Sequence, residues 1–362
     1  MQFEEILNAK VTNEGDRPLM QKEAFPVSAG LQHYLQNNGR DLMLPISYTD
    51  LLYYSHANAL RDKKGKLTHW ENAVYDVKVQ ARLNKLLIET YAILKKQSGT
   101  DFTKQLVVKR IDFCEFGNSV PFRISISRKE NDITNFFYIK LADASRIYGL
   151  ELEQLLSPDE THFLFHNNTL VEEHIEGIPG DVYLKQFMVA DSGAAALFAK
   201  EFVQFNERCF ARLLGDMRSY NFVVNKKGEG FRIRAIDFDQ QSYEGKKNLY
   251  LPQFYKENMG FVELVLTSLS NDEILQYQAE ERNNMKQQVA LNRKRLMALL
   301  NAMVKDELSE NYKILLLRKE LNEHFRTTAF SGCKSMGAIV KRQLKQMLQN
   351  SAIITVEAPR YN

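Results

Sequence analysis

Cysteine is scarce in this 362-residue chain, and the three present, Cys114, Cys209 and Cys333, stand far apart. They provide neither the paired spacing of a zinc site nor an even disulfide framework, so reduced, structural thiols are expected. The seven histidines are scattered without an H-E-x-x-H pair, which argues against a metalloprotease-like centre. Long apolar runs are missing too: none approaches the roughly 20 residues needed to cross a bilayer. The opening MQFEEILNAK lacks the basic start and apolar stretch of a secretory signal, so a cytoplasmic location is expected. No internal repeat or low-complexity tract is visible.

What is there reads as an ordinary globular protein, with 44% hydrophobic and 26% charged residues and ample length for a sizeable core. The net charge of +3 hides an asymmetry. Residues 281–362 hold fifteen Lys/Arg against seven Asp/Glu, so the basic excess is concentrated at the C-terminal end. Its densest cluster, Arg293-Lys294-Arg295, suits an acidic partner or nucleic acid, and equally a solvated helix face. No aromatic interleaving or clear nucleic-acid motif accompanies it, which favours the solvated face.

Residues 1–104 read as a helical N-terminal extension. Its best helix is expected from Glu71 to Gln97, where Val74, Val77, Leu83, Leu87 and Leu94 recur near helical spacing. From Leu106 the pattern turns to β. QLVVKRIDF, FRISIS and NFFYIKL, separated by the turns FGNSVP and RKEND, predict three antiparallel strands. ASRIYGLELEQLLS then predicts a short helix, and THFLFHN and TLVEEHIEGIPGD predict two further strands with a turn at Asn167-Asn168. An apolar-rich helix is expected over Ala194–Leu213, and Ser270 with Glu273 forms a capping-box pattern ahead of a long helical stretch. Met336, Val340, Leu344 and Met347 recur helically near the end.

The segment LLGDMRSYNFVVNKKGEGFRIRAIDFDQQ carries the strongest functional signal. It sets Asp216 five residues before Asn221, then a polar hairpin, then Asp237 inside a hydrophobic run. A phosphoryl-transfer site needs a carboxylate to orient the attacking hydroxyl, and an amide with a second carboxylate to hold Mg²⁺ against a triphosphate. All three groups occur here in that order.

This arrangement resembles the protein-kinase-like superfamily, closest in motif style to the aminoglycoside and other small-molecule phosphotransferases. The resemblance implies an α+β, two-lobed fold, with a small lobe over residues 105–176 and a mainly helical large lobe over 177–362. It implies Asp216 as catalytic base, Arg218 as a cation facing the transferred phosphate, and Asn221 and Asp237 as metal ligands. Lys140, closing the Tyr-Ile-Lys tripeptide, takes the place of the lysine that grips the α/β-phosphates. Glu151, which shares a helical stripe with Ile147 and Leu155, is expected to pair with it. Gly117 falls in the nucleotide-covering loop, and the backbone of Glu173, His174 and Ile175 would face adenine. ATP and Mg²⁺ are the cofactors so implied.

The chain also departs from the family pattern. FCEFGNSVP contains Gly117 alone rather than G-x-G-x-x-G. Leu214 stands where histidine is usual, Gly215-Asp216 is closer to small-molecule and lipid kinases, and no A-P-E element follows Asp237. Asp239 replaces the glycine of Asp-Phe-Gly, either adding a carboxylate near the metal or capping the following turn. The expected function is Mg·ATP-dependent transfer of the γ-phosphate to a hydroxyl acceptor, a small molecule by preference. A nucleotide-binding pseudokinase, a nucleotidyltransferase and a protein kinase stand as alternatives.

Overall fold

The computed structural model describes residue 22 and residues 24–62, 64–97, 100–114, 119–130, 133–187 and 192–349. They divide into two compact units, one of residues 22–150 with 160–175, the other of residues 151–159 with 176–349. Helices accompany sheets whose strands pair antiparallel, so the protein is α+β.

The first unit contains α1 (Ala29–Asn37), β1 (His56–Arg61), β2 (Leu67–Val74), α2 (Val77–Leu94), α3 (Thr100–Lys104), β3 (Leu106–Phe113), β4 (Phe122–Arg128) and β5 (Thr134–Leu141). It continues into α4 (Ala144–Leu156), whose second half belongs to the other unit, and ends with β6 (Phe163–His166) and β7 (Thr169–Glu173). The strands form a seven-stranded antiparallel sheet in the order β1-β2-β3-β4-β5-β7-β6. Cross-strand register explains its core. Ile111, Ile124 and Phe137 lie opposite one another, as do Phe122, Ile139 and Val171, so alternate residues send one continuous apolar face against Leu83, Leu87, Tyr91 and Leu94 of α2. The intervening register places Asp112, Arg123, Tyr138 and Glu172 on the opposite face.

The three strands expected after Leu106 are therefore present, and the described part of the expected helical extension holds α1, α2 and α3 but also two strands. Residues 56–74 form a hairpin that joins the sheet, β2 pairing β3 at Glu71↔Phe113 and Asn72↔Asp112. The helix starts at Val77, not Glu71, because the Thr- and Trp-containing stretch before Asp76 alternates in burial and pairs on both sides. At the two sheet edges, β1 carries a register shift between Ala59 and Arg61, and β6 is flanked by residues 40–42, with Phe165 N–H donating to Arg40 O (2.9 Å) and Leu42 N–H to Phe165 O (3.2 Å).

The second unit contains β8 (Ile178–Pro179), α5 (Gly180–Phe187), α6 (Ser192–Arg212), β9 (Phe222–Lys227), β10 (Gly230–Ala235), α7 (Met259–Ser268), α8 (Asn271–Leu291), α9 (Arg293–Met303), α10 (Asn311–His324) and α11 (Met336–Gln349). β8, β9 and β10 make a small antiparallel sheet. Helix α6 is its spine: Phe198, Phe202, Phe205 and Phe210 are buried, and it packs on α7, α8, α11 and β10. Charges are buried with it in paired form. Arg208 binds Glu201 (2.6 Å) and faces Glu281 (3.4 Å), and Arg212 pairs with Glu153. The capping box is present, with Ser270 Oγ accepting from Glu273 N–H and Glu273 Oε2 accepting from Ser270 N–H. Gly337 lets α11 approach α9 closely, since a Cβ there would fall on the Met303 carbonyl. Among the described residues no helix is long and apolar enough to cross a membrane.

Candidate functional site

In the second unit, α6 ends at Arg212 and the chain turns sharply through Leu213, whose φ is +56°. Leu214 bridges Gln241, and Gly215 N–H donates to Gln240 O at 3.2 Å. A Cβ at Gly215 would lie 3.2 Å from that same oxygen, so the close approach suits glycine. Asp216 follows with φ +56°, a left-handed conformation uncommon for a non-glycine residue and often found at functional sites.

Three groups hold Asp216 in that conformation. Its N–H donates to the Tyr255 hydroxyl (2.9 Å), which in turn donates to Leu249 O (2.6 Å). Arg218 Nε donates to Asp216 Oδ1 at 2.8 Å, and Asn221 Nδ2 donates to Asp216 Oδ2 at 3.1 Å and to its main-chain oxygen at 2.8 Å. Arg218 also donates from Nη1 to Glu257 Oε1 at 2.6 Å and lies over the Tyr255 ring. Asp237 enters because Ile236 N–H, just beyond β10, donates to Asn221 O at 3.0 Å and ties the hairpin to the loop.

The electrostatics are uneven. Burial pushes the Asp216 carboxyl up to about 6, the charges of Asp237 and Glu257 add to the rise, and Arg218 opposes it. Arg218 is held protonated by Asp216 and Glu257 despite its burial. Burial likewise raises the Tyr220 phenol, beside the same charged groups. Burial, with the charges of Asp237 and Glu257 set against the Arg218 guanidinium, thus leaves the Asp216 carboxyl tuned towards neutrality.

The resemblance placed Asp216, Arg218, Asn221 and Asp237 together, and the structure brings Arg218 and Asn221 directly onto Asp216. Arg218 is ion-paired to the two carboxylates rather than presented as a lone cation. Asp239 N–H donates to Asp237 Oδ1 (3.0 Å), so the oxygen capping this turn belongs to Asp237. Among the described residues no group of three His, Cys, Asp or Glu side chains is arranged to hold a metal. A site made of one carboxylate and one amide, completed by phosphate oxygens, is a different design.

In the first unit, Lys140 on β5 donates from Nζ to Glu172 Oε2 at 2.8 Å. Glu172 on β7 is thus a carboxylate bound to this lysine, where the sequence reading expected Glu151. Glu151 accepts two hydrogen bonds from Arg295 Nη2, at 2.8 and 2.6 Å. That pair also corrects the picture of the basic cluster, whose third member is engaged with a buried carboxylate while Arg293 and Lys294 are exposed. Arg146 completes the Lys140 grouping, donating to both oxygens of Glu172. Burial opposes ionisation of Glu172, but Arg146 and Lys140 outweigh it and hold its carboxyl down at about 2.

Two of the residues expected to face adenine already use their backbone donors. Glu173 N–H donates to His162 O (2.9 Å) and His174 N–H to Phe136 O (3.4 Å), so these donors are engaged within the sheet. The Glu173 side chain pairs with Lys95 and meets His162 Nδ1 at 3.2 Å. Ile175 is half-buried just past the strand. Gly117 lies outside the described residues.

Sequence reasoning missed Glu172, Arg146, Tyr255 and Glu257. For Glu172 a signal existed, an acidic residue inside the apolar run TLVEEHI, but its significance depends on the β5–β7 register. Tyr255 and Glu257 reach Arg218 from short 3-10 turns about forty residues downstream and leave no local signal. A separate cavity of about 390 Å³ in the second unit is lined by Lys247, Asn248, Glu320, Glu323 and His324 and shares no residue with the Asp216 grouping. Neither a scan against protein-family models nor a search of the curated proteins finds a match for the chain.

Proposed function

We propose that the protein is a Mg·ATP-dependent phosphotransferase of two-lobed, protein-kinase-like architecture that moves the γ-phosphate to a hydroxyl of a small molecule. The observation carrying this reading is the Asp216 carboxylate, set in a left-handed turn, tuned to about 6 and held by Arg218 and Asn221.

In this reading Asp216 orients the acceptor hydroxyl and takes its proton. Asn221 donates through Nδ2 to Asp216, which leaves its Oδ1 to act as an oxygen ligand, and Asp237 supplies a carboxylate. Hard oxygen donors of this kind fit Mg²⁺, and the charges of Asp237 and Glu257, which add to the rise that burial imposes on the Asp216 carboxyl, are what a divalent cation would offset. When bound, Mg²⁺ neutralises charge on the phosphates. Lys140, backed by Glu172, serves the α/β-phosphates. Arg218 holds Asp216 in place, and Tyr255 fixes the backbone beneath it. Catalysis then rests on positioning and charge neutralisation.

Calorimetry with ATP, with and without Mg²⁺, tests the reading. Asp237→Ala should abolish metal-dependent nucleotide binding, and Asp216→Ala should bind normally and lose turnover. Absence of binding by the folded wild type would overturn it. The bridging of both Asp216 oxygens by Arg218 and Asn221 favours a second reading, a nucleotide-binding module without turnover. Binding without transfer to any acceptor would support that module, and label moving from the α-phosphate would indicate nucleotidyl transfer.

A further inference from the structure

We infer that Glu172 is the positioning residue for Lys140 and that Arg146 locks Glu172, so that a strand carboxylate gripped from α4 aims the ammonium. This inference rests on the phosphotransferase reading and adds to it where the orientation of Lys140 comes from.

Glu172 lies opposite Tyr138 across the β5–β7 ladder, which puts it on the same sheet face as Lys140, two residues along. Its Oε2 accepts from Lys140 Nζ at 2.8 Å and from Arg146 Nη2 at 2.9 Å, while Oε1 accepts from Arg146 Nε. A carboxylate held through both oxygens by the planar guanidinium fork cannot turn about its terminal torsion without breaking a charge-assisted bond. A lysine ammonium alone is a point charge on a flexible stem, and Glu172 removes that freedom. Arg146, Glu172 and Lys140 are all nearly inaccessible to solvent, so water competes little for these bonds.

The helix end that carries Arg146 is itself fixed. Asp143 Oδ1 accepts from Arg146 N–H (3.2 Å) and from Lys22 Nζ (3.0 Å), and Oδ2 accepts from Phe25 N–H (2.8 Å). Ala144 N–H donates to Phe25 O at 2.9 Å. The direction of the Lys140 ammonium is therefore set jointly by β7 and by the first turn of α4.

The test reads the direction of Lys140 separately from stability. An acyl-phosphate derivative of ATP acylates a lysine amine placed against its phosphates, and mass spectrometry follows the rate at Lys140. Wild type should be labelled there and protected by excess Mg·ATP. Glu172→Gln alone leaves two buried cations together and should melt early. The pair Glu172→Gln with Arg146→Met removes that conflict, and should melt near wild type yet label Lys140 about tenfold more slowly, as expected when a charge-assisted hydrogen bond is lost. A stable pair labelled at the wild-type rate would show that Glu172 is only structural and overturn the inference. Should the pair not fold, Arg146→Lys keeps the charge and loses the fork: labelling slowed several-fold supports the inference, and an unchanged rate overturns it. Wild type that is neither labelled nor protected would overturn the phosphotransferase reading itself.

Discussion

The Asn221 side-chain amide donates to Asp216 twice, to the main-chain oxygen at 2.8 Å and to carboxylate Oδ2 at 3.1 Å. A single side chain thus closes the loop between α6 and β9 and orients the carboxylate at its centre. Asn221→Ala removes both bonds and should lower stability by about 1–2 kcal/mol. It should also weaken Mg²⁺-dependent nucleotide binding. Urea melts and calorimetry on the same preparation check the two effects.

The raised Asp216 carboxyl predicts an acid limb. In the proposed phosphotransferase Asp216 must be ionised to act as base, so kcat/KM should fall about tenfold per pH unit below a midpoint near 6. Glu257→Gln removes a charge that lifts this group, and the midpoint should move down. For stability the sign is opposite to that of a salt-bridged carboxylate. The native state binds this proton more tightly than the ordinary value of 3.8 allows, so Asp216 disfavours the fold above about 6, and that cost is relieved as pH falls from about 6 towards 3.8.

Glu172 shows the usual sign. Its carboxyl is lowered from 4.5 to about 2, so its stabilising contribution is complete above about 4.5 and is lost as pH falls towards 2. The shift corresponds to on the order of 3 kcal/mol. Wild type should therefore lose more stability than the Glu172→Gln and Arg146→Met pair between pH 5 and about 3, measured by guanidinium melts across that range.

Gly337→Ala probes the helical packing. A methyl group there would meet the Met303 carbonyl and the Val304 nitrogen, backbone atoms that cannot yield as a flexible side chain would. The substitution should destabilise by about 2–3 kcal/mol, the scale of an overpacked core. Gly332→Ala, where nothing lies within 4 Å, serves as the control and should leave the melting temperature nearly unchanged.

How much of this could be read beforehand follows the range of the interactions. β3, β4 and β5 were legible because β-branched and aromatic residues run between strong turns, and the Asp216–Asn221 spacing was legible because it lies within one loop. The β1–β2 hairpin was hidden. Its strands lie near a sheet edge and hold one fully buried residue between them, so no apolar face marks them in the sequence, while Val74, Val77 and Leu83 happen to continue a helical spacing. The contact of Lys140 with Glu172 was not legible. Helical periodicity points to Glu151, whereas the contact with Glu172 spans 32 residues and is decided by strand register, which composition does not fix. Arg218 was found, and Glu257, which fixes its other end, came from a distant turn without a motif.

An open antiparallel sheet exposes two rows of backbone donors and acceptors, and each is a template on which another copy of the chain could lay a strand. Here both templates are spoiled. The shift between Ala59 and Arg61 breaks the regular spacing of β1 and leaves a charged residue at the break, and residues 40–42 occupy backbone groups of Phe165 on β6. Loss of the flank at residues 40–42 would do more than loosen a surface loop: it would bare the hydrogen-bonding groups of Phe165 and favour aggregation by strand addition.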